Sequence, residues 1–462
     1  MSLSLLVLIG GCSQQAAVLP QPGGGQTFQP ASLLLVDDSG EQLQASPIDP
    51  VTLQNLPGDT ALRLGHHYNY AASRDGKQLA FAVWPTGEAE EDGELHLINT
   101  TTWQETKADG ISLKEANQLC FSEDGSQLYW LDPVSRSYPP VFQLFRYDLA
   151  TKQASAIVDF PESFIPTQIR LMPGGREMTV YGEWDNRQVQ PFKAPDLFSV
   201  DLKTNRVRAQ LTLDGIQAGN IQEGSDSIFH SLSPGLAWDL QRKKLYIAHA
   251  GEEKLTVVNL DTFGIEKQAE IRPARSVFGK LFGWLIPAAQ AKLVEGTDMR
   301  AALSADGGFL YVTGVRRELH NQENGVVQMS ETPLGLRVIA TSDATEVQRL
   351  AVPADDVHLT PDGKYLLLTG ATRQQELGRP YQEPSGSGLY VYDAERVKQL
   401  ALLEPDSVVY VAGFSPDSRH VYTTQRTEAD KEQWNVVDLK AAQVVARRES
   451  SRWFMDVVPL VR

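Results

Sequence analysis

Between residues 236 and 271 the chain reads LAWDLQRKKLYIAHAGEEKLTVVNLDTFGIEKQAEI, and its apolar positions fall into four short runs. These are 236–240, 245–249, 255–260 and 265–271, separated by polar links and, after the first, by the turn 241–244. Runs of this length, rich in β-branched and aromatic residues and bounded by turn formers, predict strands joined by hairpins. Four of them make one twisted antiparallel sheet.

The same phrase can be followed along the chain through its first turn, seen as Arg74-Asp75-Gly76-Lys77, Glu123-Asp124-Gly125-Ser126, Pro173-Gly174-Gly175-Arg176, Gln241-Arg242-Lys243-Lys244, Ala305-Asp306-Gly307-Gly308, Pro361-Asp362-Gly363-Lys364 and Pro416-Asp417-Ser418-Arg419. The Asp-Gly pair supplies the positive φ of a tight hairpin. Third-strand runs such as LFRYDL, LFSVDL, TVVNL and WNVVDL end in Asp or Asn, which suits an Asx turn into an outer strand. Sheets repeated at a fixed period predict an all-β fold, a single β-propeller of four-stranded blades. Seven phrases predict seven full blades. Two terminal pieces, 32–45 and 453–461, read as complementary parts of a repeat, and eight blades result if the two ends jointly complete one.

The Ser/Thr-Pro-Asp-type turns near 360–363 and 415–418 resemble the WD40-like repeats of TolB-type propellers, and LYIAHAGEEKLTVVNLDT with LYVTG resembles the YVTN repeats of surface-layer-type propellers. The resemblance spans roughly 68–447 and implies a propeller from a group of exported proteins with binding roles. It carries over no catalytic residue, and propellers serve many functions.

The N-terminal run MSLSLLVLIGGC is too short to cross a bilayer and ends in Ile9-Gly10-Gly11-Cys12, which resembles a bacterial lipobox. That resemblance implies a signal peptide, 1–11, and lipidation of Cys12. The uncharged, Pro- and Gly-rich 13–30 reads as a tether, so 12–31 form a lipidated, flexible arm and 32–462 the propeller. The expected location is the cell envelope, with the protein membrane-anchored and facing the periplasm or exterior.

Turn spacings of 49–68 residues exceed the roughly 40–45 of compact propeller repeats. The excess is expected in loops 133–140, 182–195, 272–298 and 316–335. In 272–292, RPARSVFGKLFGWLIPAAQAK, four basic residues and no acid accompany apolar positions with helical spacing. A helical insertion over 272–297 is therefore expected, capping the ring or docking to a membrane or partner protein through Phe278, Lys280, Phe282 and Trp284.

The net charge of -16 opposes nucleic-acid binding. Cys120, in an apolar run, reads as a small core residue. Glu88, Glu90, Glu91, Asp92 and Glu94 read as a solvated hairpin tip, since they lack the ligand spacing of a calcium loop. The eight histidines show no zinc spacing, and no nucleophile elbow, phosphate loop, dinucleotide fingerprint or common tryptophan offset appears. No metal or cofactor is implied. His67, His230 and His358 fall at or before inner strands, with Asp298, Arg300, Asp355 and Asp356 in equivalent places, and these could line one mouth of the central channel. The favoured function is a non-enzymatic scaffold that binds a protein or ligand on its loop faces. The alternatives are a structural subunit of a larger envelope complex, and an exported hydrolase or lactonase with its site at the channel mouth.

Overall fold

The computed structural model describes residues 33–459 apart from 39–42, 55–61, 66, 85–90, 103, 187–191, 223–228, 273–291, 322–325, 377–381, 427–431 and 451–453. The proposed signal peptide and tether, with Cys12, lie outside the described residues. So do Phe278, Lys280, Phe282 and Trp284.

Every regular element among the described residues is a strand. The repeat at 236–271 folds as expected, with strands Gly235–Asp239, Lys244–Ala248, Lys254–Asn259 and Gly264–Glu270 paired in that order. Second strands such as Gln78–Trp84 are buried along almost their whole length, because both of their faces meet neighbouring blades. Outer strands such as Gln104–Lys107 are exposed throughout. This gradient explains why the second run of each phrase is continuously apolar while the fourth is polar.

The first turn works through side chains as well as φ. Gly76 and Gly307 have φ of 67° and 71°, while Lys243 and Ser418 take 52° and 56° where glycine is missing. A hydroxyl two residues before the aspartate donates to it in five of these turns, as from Ser73 to Asp75 at 2.8 Å and from Ser304 to Asp306 at 2.6 Å. The same hydroxyl accepts the N–H that opens the next strand. Third strands end in the expected Asx turns: Asp201 accepts the N–H groups of Lys203 and Thr204 at 2.9 and 2.8 Å.

The hydrophobic core sits between blades. Phe160, Phe164, Trp184 and Phe198 form one such seam, with Phe164 and Phe198 edge to face at 4.9 Å.

The described strands form eight sheets, and the expected count of seven full, self-contained blades is corrected: six sheets are four-stranded blades built from one stretch of chain each. Their inner strands are His67–Ala72, Asn117–Phe121, Phe164–Leu171, Gly235–Asp239, Asp356–Leu359 and Val409–Phe414. A further four-stranded sheet is shared by the chain ends, where Leu33–Asp38 pairs with both Leu43–Ile48 and Phe454–Pro459. The terminal strand Phe454–Pro459 packs beside the inner strand Val409–Phe414 and so closes the ring.

The remaining sheet has nine strands and departs from the repeat. Lys292–Leu303, Phe309–Asn321, Leu336–Ala340 and Glu346–Leu350 make a blade whose first two strands overrun its edge. On the overrun, Phe229–Ser233 adds in parallel to Lys292–Leu303, followed by Gly219–Gln222. On the other side Val327–Pro333 and Ala371–Glu376 extend it, the second reaching over from the next blade. Two expectations change here. Residues 292–297 are strand, and no helix is seen in the described part of the expected insertion; the apolar spacing that suggested a helix lies in 273–291, outside the described residues, and from 292 the chain pairs along both its edges. Likewise 316–321 and 327–333 are strands rather than loop.

Candidate functional site

The overrun brings charged residues of distant sequence onto one face. Asp298 and Arg300, two apart on the inner strand Lys292–Leu303, share that face by strand alternation. Arg300 donates from both terminal nitrogens to the two Asp298 oxygens, at 3.0 and 3.1 Å. On the next strand Arg317 faces Asp298 with a nitrogen at 3.9 Å and donates from Nε to Glu331 at 2.8 Å. Arg373 approaches Glu331 from the far side at 3.6 Å. Register places Arg317, Glu331 and Arg373 directly opposite one another on three successive strands. The result is a ladder of alternating sign, Arg300, Asp298, Arg317, Glu331, Arg373.

The neighbouring inner strand Asp356–Leu359 packs beside Lys292–Leu303 and contributes Asp356 and His358. Their carboxylate oxygen and Nε2 are 3.1 Å apart. Burial raises the Asp356 carboxyl, but His358 and Arg300 outweigh it and hold the group below the usual carboxylate range. Asp356 is therefore ionised, and the His358 Nε2–H donates. Asp355, one residue earlier, accepts the Ala371 N–H at 3.1 Å. Burial, with Asp356 and Glu331 nearby, pushes it up to about 6 against that hydrogen bond. Burial also raises Asp298 despite Arg300 and Arg317.

Glu183 joins from another blade. Tyr181 donates to it at 3.3 Å, and burial, with Asp298 adding repulsion, pushes its carboxyl up to about 7. The strand Gly219–Gln222 fits over it: a Cβ on Gly219, whose φ is 80°, would lie 3.4 Å from a Glu183 oxygen and 3.2 Å from the Trp184 carbonyl. Burial thus raises the carboxyls of Glu183, Asp298 and Asp355, a pattern that functional sites and structural ion-pair networks share. Among the described residues no group of three or more His, Cys, Asp or Glu side chains is placed to hold a metal ion.

Of the residues named from sequence, Asp298, Arg300, Asp355 and His358 come together, with Asp356. His230 does not. It pairs with Glu295, one residue out of phase with the Ser231–Gly296 and Ser233–Asp298 pairs, so alternation puts it on the opposite face. His67 begins an inner strand that packs beside Leu62–Gly65 and Asn117–Phe121, away from this cluster. Sequence reasoning missed Glu183, Arg317 and Glu331 because it placed 182–195 and 316–335 in loops, and missed Arg373 because nothing local marks Ala371–Glu376 as a strand of this sheet.

Other candidates take structural roles. His249 is buried, its ring bonds Thr256 at 2.8 Å, and burial pushes it down to about 4. Cys120 packs against a core cluster, where burial pushes its thiol up to about 11. Asp92 is held by Lys114, Ser112 and Arg136, and Glu94 by Lys107 and His96.

No protein-family model matches the chain, and no curated protein matches it. Solved structures do. The dihydro-heme d1 dehydrogenase NirN, in complex with DHE, aligns with a TM-score of 0.56 and 12% identity over 95% of this chain and 78% of that one. The chain is a β-propeller. A eukaryotic initiation factor aligns with a TM-score of 0.48 and 12% identity over 93% of this chain and 98% of that one. An oligogalacturonate lyase in complex with manganese gives 0.42 and 12% over 90% and 98%. At such identities these likenesses concern the fold alone.

Proposed function

We propose that this propeller is a ligand-binding module of the cell envelope, tethered through a lipid on Cys12, and that its ligand meets the charged cluster on the nine-stranded sheet. One observation carries the binding part. Asp298 and Arg300 on one inner strand, and Asp356 and His358 on the next, converge with Arg317 from the overrun, and Arg300 and Arg317 remain 39% and 49% exposed. Four of these groups stand at inner strands, where the blades meet around the axis, and Arg317 stands on the overrun beside them. The proposed tether rests on Ile9-Gly10-Gly11-Cys12 and the uncharged spacer after it.

Thermal-shift screening of the purified protein against small polar compounds tests the binding part, with Asp356→Asn as comparison. A compound that raises the melting temperature of the wild type and not of the variant supports it. The reading fails if every stabilising compound acts equally on both. Turnover of a lactone or ester, lost in Asp356→Asn and His358→Gln, would move the protein to the hydrolase class. For the tether, Cys12→Ser should leave the membrane fraction and lose incorporation of labelled palmitate, and retention of both rejects it.

A further inference from the structure

The ladder's two signs are not equally presented. Asp298 and Glu331 each keep 18% exposure and Arg373 21%, while Arg300 keeps 39% and Arg317 49%. The two carboxylates and Arg373 lie beneath, and Arg300 and Arg317 stand out. What an approaching molecule meets is therefore a donor surface, although the whole chain carries -16.

Donor accounting points the same way. A guanidinium has five N–H groups in a fixed fork. Arg300 commits two of them to Asp298, and Arg317 commits Nε–H to Glu331 and turns a terminal nitrogen toward Asp298 at 3.9 Å. Each retains N–H groups beyond these contacts. Asp298 holds Arg300 and Glu331 holds Arg317, so little rotamer entropy is lost when a third group arrives.

Gly296 lies against the Arg317 strand and leaves no side chain of its own beside it. It stands opposite Arg317 in the register and beside Ser231 on the other side, on the face that carries Asp298. A Cβ there would lie 3.6 Å from the Arg317 Cβ and 3.4 Å from the Ser231 carbonyl. Any larger side chain would fill the ground between Ser231 and Arg317.

We propose that the exposed Arg300 and Arg317 guanidiniums, steadied by Asp298 and Glu331, bind an oxyanion, a carboxylate or phosphate group of a small ligand, beside Gly296. This rests on the binding reading above and names its ligand class. Charge-assisted, forked hydrogen bonds suit Arg to such groups. The nearby carboxylates Glu331, Asp355, Asp356 and Glu183 restrict the ligand to few negative charges.

Titration calorimetry with succinate and, separately, inorganic phosphate tests the proposal on the full chain. Wild type is expected to bind at least one of them, more weakly as salt rises. Succinate alone would indicate a carboxylate ligand and phosphate alone a phosphorylated one, and both outcomes support the oxyanion. Arg300→Gln and Arg317→Gln should each weaken binding by roughly tenfold or more, from the loss of charged hydrogen bonds. Arg396→Gln, at an exposed ion pair with Asp393, should not. Gly296→Val should also abolish binding while keeping both charges. Should Arg300→Gln fail to fold, Arg317→Gln, at the more exposed position, decides. The proposal is overturned if neither probe binds wild type, or if both glutamine variants bind as wild type does. A cationic or neutral compound that binds wild type and is lost in Asp356→Asn, with no binding of either anion, would overturn this proposal and leave the binding reading standing.

Discussion

The self-contained blades and the nine-stranded sheet use the same strands for different ends. In a blade such as 235–270, hydrogen bonding is complete within one stretch of chain, the apolar seams face neighbouring blades, and most charges sit on the outer strand and turns, with Asp239 buried in its own turn. In the nine-stranded sheet, strands from separated stretches of chain add to one overrun, and a row of Arg, Glu and Arg runs across three of them. Regular repetition closes an apolar ring. The departure from it gathers ionic groups that no single repeat contains.

If that division holds, the largest loss of stability should follow from damage to a seam. Phe164→Ala, at a fully buried ring, is expected to cost about 3–5 kcal/mol, read from urea unfolding. A loss below about 1 kcal/mol would mean that the seams are not what holds the blades.

The ladder should behave oppositely. Arg317→Gln removes an exposed partner and should change stability by about 1 kcal/mol or less, while it weakens oxyanion binding. A large loss of stability with unchanged binding would make the ladder a structural brace.

The two regions should also titrate in opposite directions. In the turns, hydrogen bonds from Ser122 and Ser126 hold Asp124 down to about 2, so its contribution is present above about 4 and is lost as pH falls toward 2. In the cluster, Asp355 and Glu183 are raised to about 6 and about 7, and the folded protein holds their protons more tightly than the unfolded chain. Their contribution is therefore present below about 4 and is lost as pH rises toward 7. Melting temperature should fall between about pH 4.5 and 7, and Asp355→Asn should flatten that slope; an unchanged slope removes Asp355 from the account.

The smallest effect is expected on an outer strand. Val207, 40% exposed, should tolerate Thr within about 0.5 kcal/mol. A greater loss would place an unrecognised contact on the rim.

The same division separates what could be read in the sequence from what could not. Asp-Gly turns and terminal Asp residues announce local structure, because the side chain that makes the turn lies within a few residues of it. The hydroxyl two residues before each aspartate is a further local signal that was open to reading. The strands Phe309–Asn321 and Val327–Pro333 were hidden, since RRELHN and VQMSETP place polar groups on both faces and show no alternation. The parallel pairing of Phe229–Ser233 with Lys292–Leu303 joins distant segments and leaves no local mark. Without that register, nothing could place His230 on the face opposite Asp298. Asp298, Arg300 and Asp355 were visible because they stand at repeat-equivalent positions.

Hydrogen exchange with and without a saturating oxyanion, succinate or phosphate, tests most directly whether the departure from the repeat is the binding locus. The account predicts new protection within 292–303, 309–321 and 356–359, and none in the outer strand 264–270. Protection confined to blades that contribute nothing to the charged cluster, or spread evenly over the ring, would contradict it.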